Sequence, residues 1–220
     1  MKKILFFSLC ILLTGCGLQY DGDERFLITG RLVDQDNVPL SNSKVELFVY
    51  GGYSNDDHDL ISFDETDENG VFKMVFPRPI NAYEIELICN RDTSIYQDKS
   101  FLNIKNTNFT DFKFNLNTIK LFKKEDISKL EITLNQVNSN KVIKQFKLIG
   151  NLARTEVYVN PLDQTDPYPY VESFYSEEVM KNQTIIAEYA LYDYTTNQTQ
   201  TLQQSIIVGS NNVTQFSINY

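Results

Sequence analysis

Thr66-Asp67-Glu68-Asn69-Gly70-Val71-Phe72-Lys73-Met74-Val75-Phe76 is the stretch that decides the architecture. Asn69-Gly70 tolerates the positive φ of a tight hairpin turn, and the residues behind it alternate, Phe72, Met74 and Phe76 against Val71, Lys73 and Val75. Period two means a strand, and a strand fed by a hairpin needs a partner. Upstream, Val45, Leu47 and Val49 alternate with Lys44, Glu46 and Phe48, and Tyr83, Ile85, Leu87 and Cys89 share one face. Downstream the rhythm returns in Phe112, Phe114 and Leu116, in Leu130, Ile132 and Leu134, in Ile206 and Val208, and in Phe216, Ile218 and Tyr220. Turn residues punctuate these runs at Asp36-Asn37, Gly51-Gly52, Gly150-Asn151 and Gly209-Ser210-Asn211-Asn212. The expectation is an all-β chain of sandwiches. One stretch invites a helix of one or two turns, Ser176 to Asn182, with a capping serine, acidic residues behind it and an asparagine stop.

A sandwich takes about 100 residues, and the chain has 220. The charged run Lys123-Lys124-Glu125-Asp126 falls near the middle, so two sandwiches in tandem are expected, over 26–122 and 126–220, the second generically immunoglobulin-like. The formal charge is −9, and no Lys/Arg cluster interrupts it. That balance argues against nucleic acid, whose binding needs clustered cations to displace counterions.

The N-terminus carries a separate message. Lys2 and Lys3 precede ten largely apolar residues, Ile4 to Leu13, followed by Thr14-Gly15-Cys16. That is the layout of an export signal, and the run is too short for the roughly 20 residues of a membrane-crossing helix. Leu13-Thr14-Gly15-Cys16 resembles the lipobox of bacterial lipoproteins. The resemblance implies removal of residues 1–15, palmitate-type acyl chains on Cys16 and attachment to the outer membrane. Residues 16–25, polar and acidic, are expected to form a flexible tether. Acidic residues so soon after the cysteine also resemble surface-export signals of Bacteroidetes-type lipoproteins; the other reading is a solvated linker. Of three cysteines, Cys10 leaves with the signal and Cys16 is acylated. Cys89 then has no partner for a disulfide, and its strand position favours a buried thiol over a nucleophile.

Gly30-Arg31-Leu32-Val33-Asp34, then Asn37-Val38-Pro39-Leu40-Ser41-Asn42-Ser43-Lys44-Val45-Glu46-Leu47, then Thr66 to Met74 resemble a carboxypeptidase regulatory-like domain. The resemblance implies a transthyretin-like sandwich over 26–122, an accessory module without catalytic residues of its own. Asn37 stands where the family usually has glycine, and asparagine tolerates the left-handed backbone there.

Candidate chemistry is sparse. The single histidine, His58, lies in Asn55-Asp56-Asp57-His58-Asp59 with no glycine-flanked nucleophile elbow anywhere in the chain. Asp56, Asp57 and Asp59 offer the oxygen ligands calcium prefers, without EF-hand spacing; the alternative is a solvated hairpin tip. Asp64, Glu65, Asp67 and Glu68 cluster at a turn, where solvated charge is the ordinary explanation. The most suggestive stretch is Pro161 to Tyr175, where three prolines stiffen a chain bearing Tyr168, Tyr170, Phe174 and Tyr175. Rigid aromatics of this kind either bind a sugar or protein partner or cap the end of the second sandwich. These residues point to a non-catalytic envelope module for binding or assembly, accessory to an uptake or adhesion complex, with no cofactor and an envelope protein or glycan as partner. The alternative is a lipid-anchored hydrolase using acidic residues.

Overall fold

The computed structural model describes residues 17–51, 58–91, 95–160 and 171–220, and over them the chain is all-β, two sandwiches in tandem. The first is built from β1 (Tyr20–Val33), β2 (Lys44–Gly51), β3 (His58–Glu65), β4 (Val71–Pro79), β5 (Ala82–Cys89), β6 (Lys99–Ile104) and β7 (Lys113–Lys120). The second is built from β8 (Ile127–Asn135), β9 (Lys141–Ile149), β11 (Phe174–Met180), β12 (Gln183–Asp193), β13 (Gln198–Val208) and β14 (Val213–Asn219), and the stretch between β9 and β11 carries a short β10 (Glu156–Tyr158) that is added to a sheet of the first.

In the first sandwich one sheet has the order β4-β1-β7 and the other β10-β6-β5-β2-β3. The deciding stretch pairs as its alternation requires, with Met74 opposite Ile28 and Phe72 opposite Gly30, so that Phe72, Met74 and Phe76 are buried. They meet Val45, Leu47 and Val49 of β2 and Ile85, Leu87 and Cys89 of β5. Each such side chain contributes about 1.5–3 kcal/mol on leaving water. Gly30 lacks a side chain because the Phe72 ring fills the space; a Cβ there would stand 2.6 Å from Cζ.

The second sandwich repeats the plan. Its sheets are β11-β8-β14 and β13-β12-β9, closed over Leu130, Ile132, Val179, Ile185, Ala187 and Ile218. In both units the first strand lies between an antiparallel partner and the parallel last strand. They differ in one place. In the first unit β3 covers the outer edge of β2; in the second, no strand lies beyond β9 among the described residues. The short β10, next in the chain, joins the first unit, running parallel to β6 with Val157 opposite Phe101. Val157 and Val159 pack on the first core, and Asn160 Nδ2 donates to Asn103 O at 2.6 Å and to Asn108 Oδ1 at 2.8 Å. The connection is held as well: Gln35 Nε2 donates to Asp126 Oδ2 at 2.9 Å, and the Lys181 amide to Asp126 O at 2.8 Å.

Two expectations are corrected. Ser176–Asn182 is no helix: residues up to Met180 belong to β11, with Glu177 opposite Leu130 and Val179 opposite Ser128. Tyr175 and Val179 turn toward the core while Ser176 and Glu178 face water, and this cross-strand packing overrides the local capping signals. Asn182, at φ 56°, then makes the left-handed turn into β12. The expected tether over 16–25 is likewise strand from Tyr20 onward, with Tyr20 opposite Pro79 and Arg25 opposite Pro77. Two of its acids are engaged, Arg78 lying 3.1 Å from Asp21 Oδ2 and 2.7 Å from Glu24 Oε2, while Asp23 is exposed. A smaller difference concerns Phe112, which precedes β7 at φ 62° and is exposed, leaving Phe114 and Leu116 to pack on the core.

Asp21 Oδ1 accepts the amides of Glu24 and Asp23, both at 2.8 Å. The Glu24 amide foremost, then that of Asp23, and the Arg78 guanidinium hold its carboxyl below the usual carboxylate range. A carboxyl depressed on folding stabilises above its unfolded pKa of about 3.9 and loses that contribution as pH falls toward the folded value. Amides of residues 19–25 are therefore expected to lose hydrogen-exchange protection below about pH 4 ahead of the β12 amides. Unchanged protection down to pH 2, after correction for intrinsic rates, would count against this role of Asp21.

Candidate functional site

Of the residues singled out in the sequence, Cys16, Asp56, Asp57, Tyr168 and Tyr170 lie outside the described residues. Asp59 stands in β3, where its Oδ2 accepts the Tyr20 hydroxyl at 2.8 Å. His58 stacks on Tyr50, centroids 5.6 Å apart. Among the described residues, no group of three His, Cys, Asp or Glu side chains is placed to hold a metal. The turn acids build the turn: Asp67 Oδ1 accepts the amides of Asn69 at 2.9 Å and Val71 at 2.8 Å, and Asp64 Oδ2 that of Lys73 at 2.8 Å. Cys89 is fully buried, and that burial pushes its thiol well above the ordinary range. Among the described residues, no helix is long and apolar enough to cross a membrane.

The two described aromatics of the proline-rich stretch go opposite ways, because neighbours on a strand face opposite sides. Phe174 is exposed. Tyr175 turns inward and stacks on Phe146 of β9, centroids 4.4 Å apart at 29°. This pair stands at a cleft of about 430 Å³, also lined by Lys144, Lys147, Val171, Glu188 and Tyr189. Its existence follows from the strand plan: among the described residues β9 is an edge, and Gln145 and Ile143 pair with successive β12 residues, so Lys144 bulges out.

The charges around the cleft are arranged in layers. Lys147 Nζ lies 2.6 Å from Glu188 Oε1, and Gln203 Nε2 donates to Glu188 Oε2 at 2.6 Å. The Lys147 bond, then that from Gln203, holds the Glu188 carboxyl below its usual range. Lys144 Nζ hovers over the rings of Tyr192 at 5.7 Å and Tyr194 at 5.9 Å. Tyr189 is buried, its hydroxyl accepting Gln204 Nε2 at 3.0 Å. The result is an aromatic floor rimmed by one open cation and one neutralised pair, suited to a ring-bearing or sugar ligand with polar substituents.

The sequence singles out Tyr175 by its aromatic company and gives no such signal for Phe146, Lys144 and Glu188, which line the same cleft. The pairing of β9 with β12 sets those three side by side, and the packing of that sheet against β11-β8-β14 brings them to Tyr175.

No protein-family model matches the chain, and no curated protein matches it in sequence. Among solved structures it is similar in part to 3-chlorocatechol 1,2-dioxygenase from Rhodococcus opacus 1CP, at 14% identity over 50% of this chain and 68% of that one, TM-score 0.34. It is also similar to the shaft pilin spaA from Lactobacillus rhamnosus GG, at 9% identity over 89% and 97% of the two chains, TM-score 0.31. A third likeness is to the Bacillus anthracis TIE protein, at 14% identity and TM-score 0.30. It covers 89% of this chain and 34% of that one, so the chain spans about a third of the TIE protein.

Proposed function

We propose that this chain is a lipid-anchored protein of the cell envelope, held at the outer membrane by acyl groups on Cys16, that works as a non-catalytic binding or assembly module. The export layout of residues 2–15 and the lipobox-like Leu13–Cys16 support the anchor. The motifs at Gly30–Asp34, Asn37–Leu47 and Thr66–Met74 support reading the first sandwich as a carboxypeptidase regulatory-like accessory. The single observation that carries the binding role is the Phe146–Tyr175 stack flooring the cleft at β9. Its partner is a glycan or a protein segment of the envelope, engaged by ring stacking and by Lys144. Of the acids clustered at the Asn69-Gly70 turn, Asp64 and Asp67 are occupied by backbone amides.

The test uses the partner captured from detergent-solubilised envelopes and a glycan array. Tyr175→Ala and Lys144→Ala are each expected to weaken binding about tenfold, the cost of truncating a contact at the centre of an interface. Phe174→Ala, on the other face of β11, is expected to leave it intact. Binding indifferent to both cleft variants, with unfolding midpoints unshifted, would refute the site. Hydrolysis of envelope polysaccharides or peptides by the purified protein would refute the non-catalytic reading.

A further inference from the structure

We infer that the acylated protein does not float on a leash: the end of the first sandwich formed by the Ile80-Asn81 turn and the Asn106–Asn108 turn lies on the lipid surface. The inference rests on the lipid anchor proposed above and adds an orientation to it.

The observation is how early the chain becomes fixed. Asn81 clamps the segment after the cysteine from both sides, its Nδ2 donating to Gly17 O at 3.2 Å and its Oδ1 accepting the Gln19 amide at 2.8 Å. The Ile80 amide donates to Gln19 O at 2.8 Å. Leu18 packs on the first core, so close over Gly51 that a Cβ there would stand 2.7 Å from Leu18 Cδ2. Cys16 is one peptide from the clamped Gly17, a Cα step of about 3.8 Å. Acyl chains on that thiol therefore enter the bilayer beside the clamp, with no free length between lipid and domain.

What this end presents suits the position. Ile80 is a large aliphatic side chain left 56% exposed at the tip of the turn. Asn106 is fastened to the same turn, its Nδ2 donating to Pro79 O at 3.0 Å. Lys105, Asn106 and Thr107 beside it are exposed and polar, and Lys105 is a cation able to reach phosphate. One apolar tip among headgroup-compatible side chains describes an interfacial contact, not an inserted segment. The opposite end holds the exposed Val38 and the connection at Gln35 and Asp126. The 14 residues of β1 separate the two ends by about 45 Å.

The experiment uses the acylated full chain in phosphatidylcholine vesicles that carry a headgroup nitroxide. Ile80→Cys and Val38→Cys are each labelled with a fluorophore; Cys89 is buried and the acylated Cys16 is blocked. Quenching about threefold stronger at position 80 than at 38 is expected, because a headgroup quencher cannot reach across the length of the sandwich. Ten Gly/Ser residues inserted between Cys16 and Gly17 are expected to bring position 80 down to the level of 38, with flotation unchanged. Equal quenching at both sites in protein that carries its acyl mass and floats would overturn the orientation and leave the anchor standing. An insertion without effect on quenching would overturn it too. Protein without acyl mass that fails to float would overturn the anchor, and the orientation with it.

Discussion

A Cys16→Ser protein, exported, freed of residues 1–15 and folded, is expected to leave the membrane fraction almost completely, with more than about 99% recovered in the soluble fraction, since the lipid transfer implied by the lipobox uses a thiol as its nucleophile and serine offers none. A single acyl chain gives only marginal attachment and two or three give effectively permanent attachment, each buried methylene contributing about 0.8 kcal/mol. The net charge is negative, repelling anionic headgroups, and the apolar tip at Ile80 is far too small to hold the protein alone. The measurement is ultracentrifugal fractionation with intact-mass analysis of both forms. Retention of the serine variant, or a native mass without added acyl groups, would sink the anchor.

The second large effect falls on Gly70. Its φ is +76°, and a Cβ placed there would fall on the Leu32 carbonyl oxygen and stand 3.3 Å from the Leu40 nitrogen. Neither neighbour can retreat. The Leu32 amide donates to Gly70 O at 2.8 Å, the Leu40 amide to Leu32 O at 3.0 Å, and the Gly70 amide to Asp67 O at 2.9 Å. Gly70→Val adds a strained backbone to a backbone collision, together on the order of 4 kcal/mol, enough to unfold the first sandwich of a marginal protein. Gly209→Ala is the control, since a Cβ there meets nothing within 4 Å. Urea unfolding followed by circular dichroism separates them. A loss under about 1 kcal/mol for Gly70→Val would mean that this turn is not held as described.

What could be read in the sequence was local. The Asn69-Gly70 turn announces its positive φ and the alternation behind it announces the core, and Asn37 adopts the left-handed φ of 66° that its turn requires. What could not be read depends on distant partners. Asp21 and Glu24 look like solvated linker until Arg78 answers them from β4. Glu177 and Glu178 look like a helix start until β8 offers a pairing edge. Glu156–Tyr158 is too short to show a period, and its parallel partner lies in another unit. The candidate site divides the same way: Tyr175 stands out by composition, while Phe146 meets it only through the packing of two sheets.

The parallel pairing of first and last strands has a mechanical consequence. Residues Leu27 to Val33 are matched with Lys113 to Lys120, and Lys129 to Asn135 with Val213 to Asn219. Under the anchor and cleft binding proposed above, a pull on the second lobe against a membrane-held N-terminus draws β1 and β7 in opposite directions along their length. All rungs of the ladder then resist together in shear instead of peeling open one at a time. Tension on an envelope contact would thus meet the first lobe in its stiffest direction, and survival under it would be set by how slowly that ladder slides apart.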